Sequence, residues 1–412
     1  MVKKKMSLTT KIFIGLIAGI VAGLALAGAP DFVDNFIAPI GSVFINMIGM
    51  VIVPLVFSSL IVGAASIGDA KTLGRIGGKT LAYYLFTTAF AVSIGLLLGK
   101  LINPGAGLSI PTDAAAAAAS EAPKLVDTIV NMIPRNPLQG LVSGSMLQII
   151  VFALFLGVGF TAVPGDKGKP FINFFDSLAE IMYKITAMIM NFAPYGVFGL
   201  ITPVVAKNGP AVLLPLIKVV IAVYLGCIIH AVLVYSSAVS VVGKISPMKF
   251  FKAIAPAAIT AFSTTSSAGT LPVTMKSCKE GLGVSDKIAS FVLPLGATIN
   301  MDGTALYQGV CALFVAQVYG VALTGGQIGT IILTATLASI GTAGVPGAGL
   351  IMLSLVLTSV GLPLEGVALI AGIDRVLDMA RTTVNIVGDA SCAVVIAATE
   401  NELDVPREEV TV

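Results

Sequence analysis

Residues 262–272 read FSTTSSAGTLP and lie at the centre of an apolar segment that runs from Ala253 to Met275. Lysines flank this segment on both sides, so a single crossing would place one basic cluster outside, against the preference of Lys and Arg for the cytoplasmic face. The Ser, Thr, Gly and Pro residues at its centre also cannot continue a helix exposed to lipid. The sequence therefore predicts a re-entrant helical hairpin at 253–275, the first hairpin, with its tip buried in protein.

A second hairpin is predicted at residues 326–362, where two apolar arms surround SIGTAGVPGAG. Almost no charge flanks this segment, which indicates entry from the opposite side of the membrane. Each hairpin is followed by an apolar span, at about 288–320 and about 364–399. A hairpin and a helix that occur twice with opposite entry sides form an inverted repeat, an arrangement that places a binding site near the bilayer midplane.

The composition of the whole chain is that of an integral membrane protein. Of its 412 residues, 56% are hydrophobic and 11% are charged, and the mean hydropathy is +1.00. Soluble enzymes, disordered scaffolds and nucleic-acid binders are excluded, because too few polar side chains exist to cover a water-facing surface. Four dispersed cysteines without a CxxC pair argue against a disulfide framework or a metal cluster. The single histidine, His230, argues against a histidine-metal site.

Basic residues predict the orientation of an all-α protein. Lys3, Lys4, Lys5 and Lys11 place the N-terminus in the cytoplasm. Apolar runs long enough for a helix to cross the bilayer lie at about 12–28, 36–66, 80–102, 170–205 and 210–242, and a further one ends at about 164. With the spans after the two hairpins, the prediction is about eight transmembrane helices. Residues 103–123 are predicted to form an outside linker, and the solvated C-terminal tail is predicted to be cytoplasmic.

The last span carries a stripe of charged residues in otherwise apolar sequence. Each charge at mid-membrane costs about 2.5–3.5 kcal/mol on the insertion scale. At about 100° per residue, one face of the helix presents Asp374, Asp378, Arg381, Asn385 and Asp389. A structural salt-bridge ladder is one interpretation, since the charges have helical pairing spacing. We favour a ligand site, because a ladder needs neither Thr382 nor Asn385.

The span at 288–320 is interrupted by ATINMDGTALYQG, residues 297–309. Asn300, Asp302 and Gly303 are expected to break the helix at mid-depth, which frees carbonyls and supplies a carboxylate to a hard cation. A simple buried turn is the alternative. His230, in the sixth span, is interpreted as a packed interfacial residue rather than a proton relay. The Ser/Thr tip at 263–267 lacks a recognisable base, which argues against a nucleophilic serine.

Four motifs, in order along the chain, resemble the signatures of the glutamate/aspartate transporter family, the dicarboxylate/amino acid:cation symporters. They are STTSSAGTLP, NMDGTALYQG, SIGTAGVPGAG and GIDRVLDMARTTVNIVGD. The match covers the whole chain, is strongest at about 260–399, and is nearest to prokaryotic members. The resemblance implies a secondary active transporter and not an enzyme. It would carry L-aspartate or L-glutamate together with Na⁺, as a homotrimer in the lipid bilayer of a prokaryotic cytoplasmic membrane.

The resemblance also implies an elevator mechanism with two domains. Residues 1–70 and 124–206, with spans 1, 2, 4 and 5, would form a rigid scaffold and trimerisation domain. Residues 71–123 and 207–412, with spans 3, 6, 7 and 8 and both hairpins, would form a mobile transport domain.

Carried over residue by residue, the resemblance implies one substrate site and three cation sites. Arg381 would pair with the side-chain carboxylate of the substrate and Asp378 with its α-ammonium, an arrangement that suits a bidentate guanidinium. Further substrate contacts would be Thr382, Asn385, Thr304, Ser266, Ser267, Gly344 and Val345. The Na⁺ ligands would be Asn300, Asp302, Asn385 and Asp389; Tyr84, Thr87 and Thr88 with Asn300 and Asp302; and carbonyls around Thr298, Ser339, Ile340 and Thr342 beside Met301.

Three positions depart from the family pattern. Archaeal relatives carry an arginine where this chain has Thr265, and animal relatives carry one at the place of Met379. The extra base here is Arg375, which we expect to support Asp374 or Asp378. Gln308 stands where animal members have a glutamate linked to proton and potassium coupling, which argues against potassium counter-transport.

Other functions remain open at this point. A proton-coupled acidic amino acid carrier needs only one titrating carboxylate, and a C4-dicarboxylate carrier has no need of an ammonium partner such as Asp378. An intramembrane aspartyl protease needs two carboxylates that share a proton, whereas the obvious pairs here have an arginine beside them. An ion channel would pass single-channel currents instead of saturable, substrate-dependent flux.

Overall fold

The computed structural model describes residues 6, 8–66, 71–108, 130–131, 133–164, 167–209, 213–341 and 348–404. In these ranges the chain is helical, apart from turns and an isolated bridge between Val284 and Leu403. The helices are α1 (Leu8–Ala25), α2 (Ala38–Ser66), α3 (Lys71–Ile102), α4 (Pro137–Ser143), α5 (Met146–Ala162), α6 (Lys169–Asn208), α7 (Leu213–His230), α8 (Pro247–Thr264), α9 (Ser267–Lys276), α10 (Asp286–Ile299), α11 (Asp302–Val318), α12 (Gly325–Ala338), α13 (Ala348–Ser359), α14 (Gly366–Ala371) and α15 (Asp374–Thr399).

Four helical segments in the described part of the chain are long and apolar enough to cross a membrane: Pro30–Ala65, Arg75–Ile102, Leu213–Val241 and Asp374–Thr399. The first and third include π-helical turns, at Val33–Ile37 and Ala231–Tyr235. A fifth span results if the two halves of α6, which meet at 54°, are counted together. The chain is therefore a multi-pass membrane protein, while the number of eight spans stays a prediction, because α1 and α5 are shorter apolar helices.

The helical backbone breaks at the polar sites that the sequence indicates. Between α8 and α9, Thr265 adopts a left-handed conformation with φ of 52°. Ser266 then caps α9, because its Oγ accepts a hydrogen bond from Gly269 N at 3.0 Å. Between α10 and α11, the break falls at Asn300 and Met301. The direction from which each hairpin enters the membrane stays a prediction.

Two further breaks lie at the end of α12 and directly before α15. A 3₁₀ turn at Ser339–Gly341 ends α12, and residues 342–347, the tip predicted for the second hairpin, lie outside the described part. The last predicted span is divided into α14 and α15 by Gly372 and Ile373. The predicted span of about 364–399 is therefore interrupted, and its long helix begins at Asp374.

A first packing group consists of α1, α2, α5 and α6. Gly15, Gly19 and Gly23 are spaced by four residues on α1 and lie against α6. A Cβ atom at Gly23 would come within 2.8 Å of Thr202 O, and Thr202 Oγ1 donates a hydrogen bond to Gly19 O at 3.2 Å. Small residues at this spacing let two helix backbones approach closely in a membrane, where apolar burial gives no driving force between helices.

A second packing group surrounds α11 and α15, which contact α3, α7, α10 and the arms of the hairpins. Nearly every residue of α11 and most of α15 are buried. A helix that is buried on all sides belongs to the interior of the molecule. Gly309 brings α11 against α3, since a Cβ at this position would lie 2.8 Å from Val92 O.

The two groups meet at small residues. The Ser339–Gly341 turn packs on α2, and a Cβ at Gly63 would lie 2.6 Å from Ile340 O. At the break before α15, a Cβ at Gly372 would lie 2.8 Å from Leu16 Cδ1 of α1. The second hairpin is therefore in direct contact with the first group.

The end of α15 is tied to the start of α3 by Glu400. Its side chain is 4% exposed, pairs with Arg75, and accepts a hydrogen bond from Lys79 Nζ at 2.7 Å. These two cations lower the pKa of Glu400, with the hydrogen bond from Lys79 as the largest cause. The segment that follows bonds to the loop before α10, because Asp404 N donates to Gly283 O at 2.8 Å.

We expect Glu400→Gln to lower the thermal unfolding midpoint at pH 7 and to reduce its dependence on pH. A carboxylate with a depressed folded-state pKa stabilises the fold above its unfolded pKa of about 4.3, and this stability is lost as the pH falls through the folded value. The wild type should therefore lose more stability than the variant between pH 7 and about pH 4. Glu280→Gln, which removes an exposed ion pair with Lys276, is the control. Parallel pH profiles for wild type and Glu400→Gln would contradict the expectation.

Candidate functional site

The polar stripe of α15 lies in the interior of the second packing group. The relative exposures are 5% for Asp374, 7% for Asp378, 0% for Arg381, 3% for Asn385 and 2% for Asp389. Arg381 heads the fully buried side chains by size. Because an isolated charge is very costly in such surroundings, each of these groups requires a partner close by.

Arg381 is held between two carboxylates. Its Nη1 donates a hydrogen bond to Asp374 Oδ1 at 2.7 Å, and its Nη2 lies 2.9 Å from Asp378 Oδ1 without hydrogen-bond alignment. The guanidinium carbon lies 4.1 Å from the ring centroid of Tyr307, a cation–π distance. Among the described residues, Nε and Nη2 have no hydrogen-bond partner. The guanidinium is thus neutralised but retains donors for an additional acceptor.

Two glycines allow neighbouring backbones to approach Arg381. A Cβ at Gly303 of α11 would lie 2.7 Å from Arg381 Cα. A Cβ at Gly349 of α13 would lie 2.6 Å from Nη2 and 2.8 Å from Nη1 of the guanidinium. The second arm of the second hairpin, α13, therefore passes directly over the guanidinium of Arg381. A larger residue at Gly303 or Gly349 would displace Arg381.

Other predicted substrate contacts surround the arginine. Asn385 Oδ1 accepts a hydrogen bond from Gly303 N at 2.8 Å, and its Nδ2 lies 3.1 Å from Met301 Sδ and 3.4 Å from Thr304 Oγ1. Thr382 Oγ1 donates to Asp378 Oδ1 at 3.3 Å. Asn385 and Thr304 thus join α15 to α11, and Thr382 contacts the carboxylate that faces the guanidinium.

The turn of the first hairpin also contacts α15. Ser266 caps α9 and Ser267 is 2% exposed. Arg375 donates a hydrogen bond from Nη1 to Thr265 Oγ1. Arg381 makes the close contacts with Asp374 and Asp378, and the expected electrostatic support of these carboxylates by Arg375 stays a prediction. Gly344, Val345 and Thr342, predicted for the second hairpin, lie outside the described residues.

A second buried cluster centres on Asp302, whose side chain is 0% exposed. Its Oδ1 accepts a hydrogen bond from Thr88 Oγ1 at 2.6 Å, and its Oδ2 accepts one from Tyr235 OH at 2.8 Å. His230 Nε2 lies 3.2 Å from the same Oδ2. His230 is not an interfacial packing residue as expected, since its ring is fully buried against this carboxylate.

Asp389 and Asn300 lie beside this cluster. Asn300 Nδ2 donates to Asp389 Oδ1 at 2.9 Å and to Asn385 O at 3.1 Å. Asn300 Oδ1 is buried and has no hydrogen-bond partner among the described residues. A Cβ at Gly296 would contact both Asp389 Oδ1 and the Tyr84 hydroxyl, so these two oxygens approach the same point. Amide, hydroxyl and carboxylate oxygens are the ligands of hard cations.

The remaining predicted ligands form local contacts. Tyr84 OH donates to Val292 O at 3.2 Å, and Thr87 Oγ1 donates to Tyr84 O at 3.2 Å. Thr298 Oγ1 donates to Leu295 O and Ser339 Oγ to Thr336 O, at 2.8 and 2.7 Å. The turn that contains Ser339 and Ile340 contacts α10, the helix that carries Thr298. No group of three or more His, Cys, Asp or Glu side chains that could hold a metal occurs in the described part of the chain.

Sequence reasoning missed three contributors to these clusters. His230 and Tyr235 provide contacts to Asp302 from α7 and the π-helical turn after it, and Tyr307 lies against Arg381. The signal was available for His230, because a polar residue in the middle of an apolar span needs a partner in the protein interior.

The chain is similar to known transporters along nearly its whole length. Residues 8–399 match the model of the sodium:dicarboxylate symporter family. The chain is 40% identical to the proton/sodium-glutamate symport protein of Geobacillus stearothermophilus, over 97% of this chain and 96% of the relative. It is 38% identical to the proton/glutamate-aspartate symporter of Escherichia coli K12, over 97% and 94%. It is 33% identical to the C4-dicarboxylate transport protein of Bacillus subtilis 168, over 97% and 94%.

The family assignment decides one of the open alternatives. The relatives are symporters and not enzymes, which confirms that expectation and makes the intramembrane protease interpretation wrong. The buried charge cluster of α15 and the family match over nearly the whole chain lead to one identification: the chain belongs to the sodium:dicarboxylate symporter family.

Proposed function

We propose that the protein is a sodium-coupled symporter of acidic amino acids, L-aspartate or L-glutamate. The observation that carries this proposal is the fully buried Arg381, which is charge-paired with Asp374 and Asp378 yet retains hydrogen-bond donors that have no partner among the described residues. A buried guanidinium of this kind is a specific receptor for a carboxylate, because bidentate pairing adds geometric selectivity to charge.

The substrate side-chain carboxylate binds the guanidinium, and Asp378 accepts the α-ammonium. Asp378 Oδ1 lies 2.9 Å from Arg381 Nη2 and accepts a hydrogen bond from Thr382. A substrate carboxylate on Arg381 frees Asp378 to interact with the ammonium group. The proposed roles of Asn385 and Thr304 in the pocket rest on the resemblance and on their contact with each other, one helical turn along α15 from Arg381. Those of Ser266, Ser267, Gly344 and Val345 at the hairpin tips rest on the resemblance.

Na⁺ is the proposed coupling ion, transported with the substrate. Asp302 and Asp389 are both buried, and the oxygens of Asn300, Tyr84 and Thr88 lie around them. Two buried carboxylates need a positive charge nearby. A dehydrated cation can supply this charge while the oxygen atoms of the cluster coordinate it. The unpartnered Asn300 Oδ1 supports this assignment.

We further propose that the first packing group is the scaffold and the second the transport domain of an elevator, in a homotrimer of a prokaryotic cytoplasmic membrane with both termini cytoplasmic. The separate packing of the two groups and the small residues where they meet support this division. Gly63 and Gly372 place backbone against the other group at this boundary.

A proton-coupled carrier is the second candidate, favoured by one specific contact. His230 and Asp302 form a buried pair at 3.2 Å, and a protonated His230 would supply the positive charge that Na⁺ supplies in the first proposal. The names of the relatives include both proton and sodium coupling. A C4-dicarboxylate carrier is less consistent with the site, because Asp378 would face a ligand that lacks an ammonium group.

The test is uptake of radiolabelled aspartate, glutamate and succinate into proteoliposomes under separate sodium and proton gradients. We expect saturable uptake of the two amino acids driven by inward sodium, with little succinate uptake. Uptake driven only by a proton gradient would replace Na⁺ by H⁺ in the proposal. Succinate uptake equal to that of aspartate would favour the C4-dicarboxylate function, and non-saturable currents would favour a channel.

Gly349→Ala is expected to weaken aspartate binding by about tenfold or more, because the new Cβ would lie 2.6–2.8 Å from three atoms of the Arg381 guanidinium. Calorimetry at saturating sodium measures the effect. Gly325→Ala is the matched control, since a Cβ there meets no atom within 4 Å. Equal affinities of Gly349→Ala and Gly325→Ala would show that α13 does not confine the guanidinium during binding.

A further inference from the structure

Arg375 occupies a place that the proposed binding scheme does not explain. It is the second residue of α15, directly after the break at Gly372 and Ile373, and its side chain is partly buried. The nearest carboxylates along the helix, Asp374 and Asp378, are both engaged by Arg381. The guanidinium of Arg375 instead donates a hydrogen bond to Thr265 Oγ1 in the turn of the first hairpin.

The turn that Arg375 contacts has a conformation that requires support. Thr265 has φ of 52° and is not a glycine, so its backbone is in a region that L-residues disfavour. Its side chain is 1% exposed and its Oγ1 donates to Thr264 O at 2.7 Å. A hydroxyl has one donor and two acceptor sites, so the same oxygen can accept from Arg375 while it donates to Thr264.

The conformation of this turn determines where Ser266 and Ser267 lie. Ser266 Oγ and Ser266 O accept hydrogen bonds from Gly269 N and Thr270 N, at 3.0 Å each, and start α9. Ser267 follows as the first residue of α9 and is buried. These two serines are the first-hairpin residues proposed to contact the substrate α-carboxylate.

We infer that Arg375 is a positioning residue, which fixes the first-hairpin turn to α15 through Thr265 and thereby sets the placement of Ser266 and Ser267. One helix then carries both ends of the site: Arg381 for the distal carboxylate, and Arg375 for the turn that faces the α-carboxylate. The link to substrate rests on the proposed function, whereas the tether itself does not.

The tether is tested first without substrate. Hydrogen–deuterium exchange of the amides at 265–270 is compared in wild type, Arg375→Met, Thr265→Val and the double variant. We expect exchange at least about tenfold faster in each single variant. The double variant should exchange no faster than Thr265→Val, because Thr265→Val already removes the acceptor of Arg375 together with the hydrogen bond to Thr264. Arg75→Met, which removes a guanidinium from the pair with Glu400, is the matched control and should leave these amides unchanged. Unchanged exchange in Arg375→Met would overturn the tether.

The effect on binding is then measured by calorimetry with aspartate at saturating sodium. Arg375→Met and Thr265→Val should each raise Kd about fivefold to tenfold, and the double variant should equal Thr265→Val. Arg375→Lys should recover part of the loss. Additive losses would overturn the inference, since they would mean that Arg375 acts independently of Thr265, on the substrate itself. If the wild type binds neither aspartate nor glutamate, the proposed function fails, and the exchange result alone decides the role of Arg375.

Discussion

Arg381→Ala is expected to raise the Kd for L-aspartate by about 1,000-fold or more, because no other described cation contacts this part of the site. A buried site built to pair with a charged group binds its ligand much more weakly when one member of that pair is missing, because the other member is left unpaired. The variant should at the same time admit small neutral amino acids such as serine, since the space of the guanidinium becomes available. Competition of labelled aspartate and serine uptake measures both effects.

Arg381→Ala also leaves Asp374 and Asp378 buried without a counter-charge, which costs about 3–5 kcal/mol of stability. Arg381→Ala combined with Asp374→Asn removes one charge of each sign and should fold more stably than the single variant. This double variant is the necessary control, because it leaves only Asp378 without a counter-charge instead of both carboxylates. A loss of aspartate binding that stays equally large in it is therefore due to the missing guanidinium. Aspartate affinity equal to that of the wild type in either variant would contradict the proposed role of Arg381 as the partner of the substrate side-chain carboxylate.

Asp378→Asn separates the two ends of the substrate. The substitution removes the proposed partner of the α-ammonium, so aspartate and glutamate should both bind at least about tenfold more weakly. Succinate has a carboxylate at each end and no ammonium group, and its weak binding should be unaffected. An equal loss for succinate and aspartate would argue against this role of Asp378.

Aspartate affinity is expected to depend steeply on sodium. Below saturation, a tenfold rise in sodium should lower the Kd about tenfold if one Na⁺ is coupled, and by a further factor of about ten for each additional coupled Na⁺. The reason is that coupled ligands raise each other's affinity by the same factor. Potassium should not replace sodium. Calorimetry at fixed pH over a series of sodium concentrations measures the slope. A Kd independent of sodium would promote the proton alternative, in which His230 supplies the charge beside Asp302.

Asp302→Asn and Asp389→Asn should reduce the sodium slope more than the affinity at saturating sodium. Each removes a buried carboxylate from the oxygen cluster without changing its size. Asp286→Asn is the control, because its side chain is 79% exposed and pairs with Lys279 outside the cluster. The opposite pattern, a loss of affinity with an unchanged slope, would mean that Asp302 and Asp389 contact the substrate.

The breaks in the helices were predictable because their causes are local. Ser, Thr and Asn side chains compete for backbone hydrogen bonds, and a polar turn in an apolar segment must be shielded by protein. The breaks at Thr265 and Ser266 and at Asn300 and Met301 follow this rule. The break at Gly372 and Ile373 did not have such a signal, since the surrounding sequence is apolar and one glycine is tolerated in a helix.

The partners of the charged residues were predictable only in part. Helical periodicity indicates which residues of α15 share a face, and it correctly grouped Asp374, Asp378 and Arg381. It gives no information on the element that packs across from that face. Arg375 therefore appeared to have only its helix neighbours as partners, whereas the structure places Thr265, 110 residues earlier, beside it.

The sequence by itself determined the helical membrane class, the positions of two broken segments and the polar stripe of α15, because hydropathy and periodicity are properties of single segments. Only the tertiary structure decided which polar atoms meet. His230 and Tyr235 contact Asp302 across 72 and 67 residues of chain. Gly303 and Gly349 admit two separate backbones to Arg381. Such contacts depend on close packing between distant elements, where the absence of a single Cβ sets the distance.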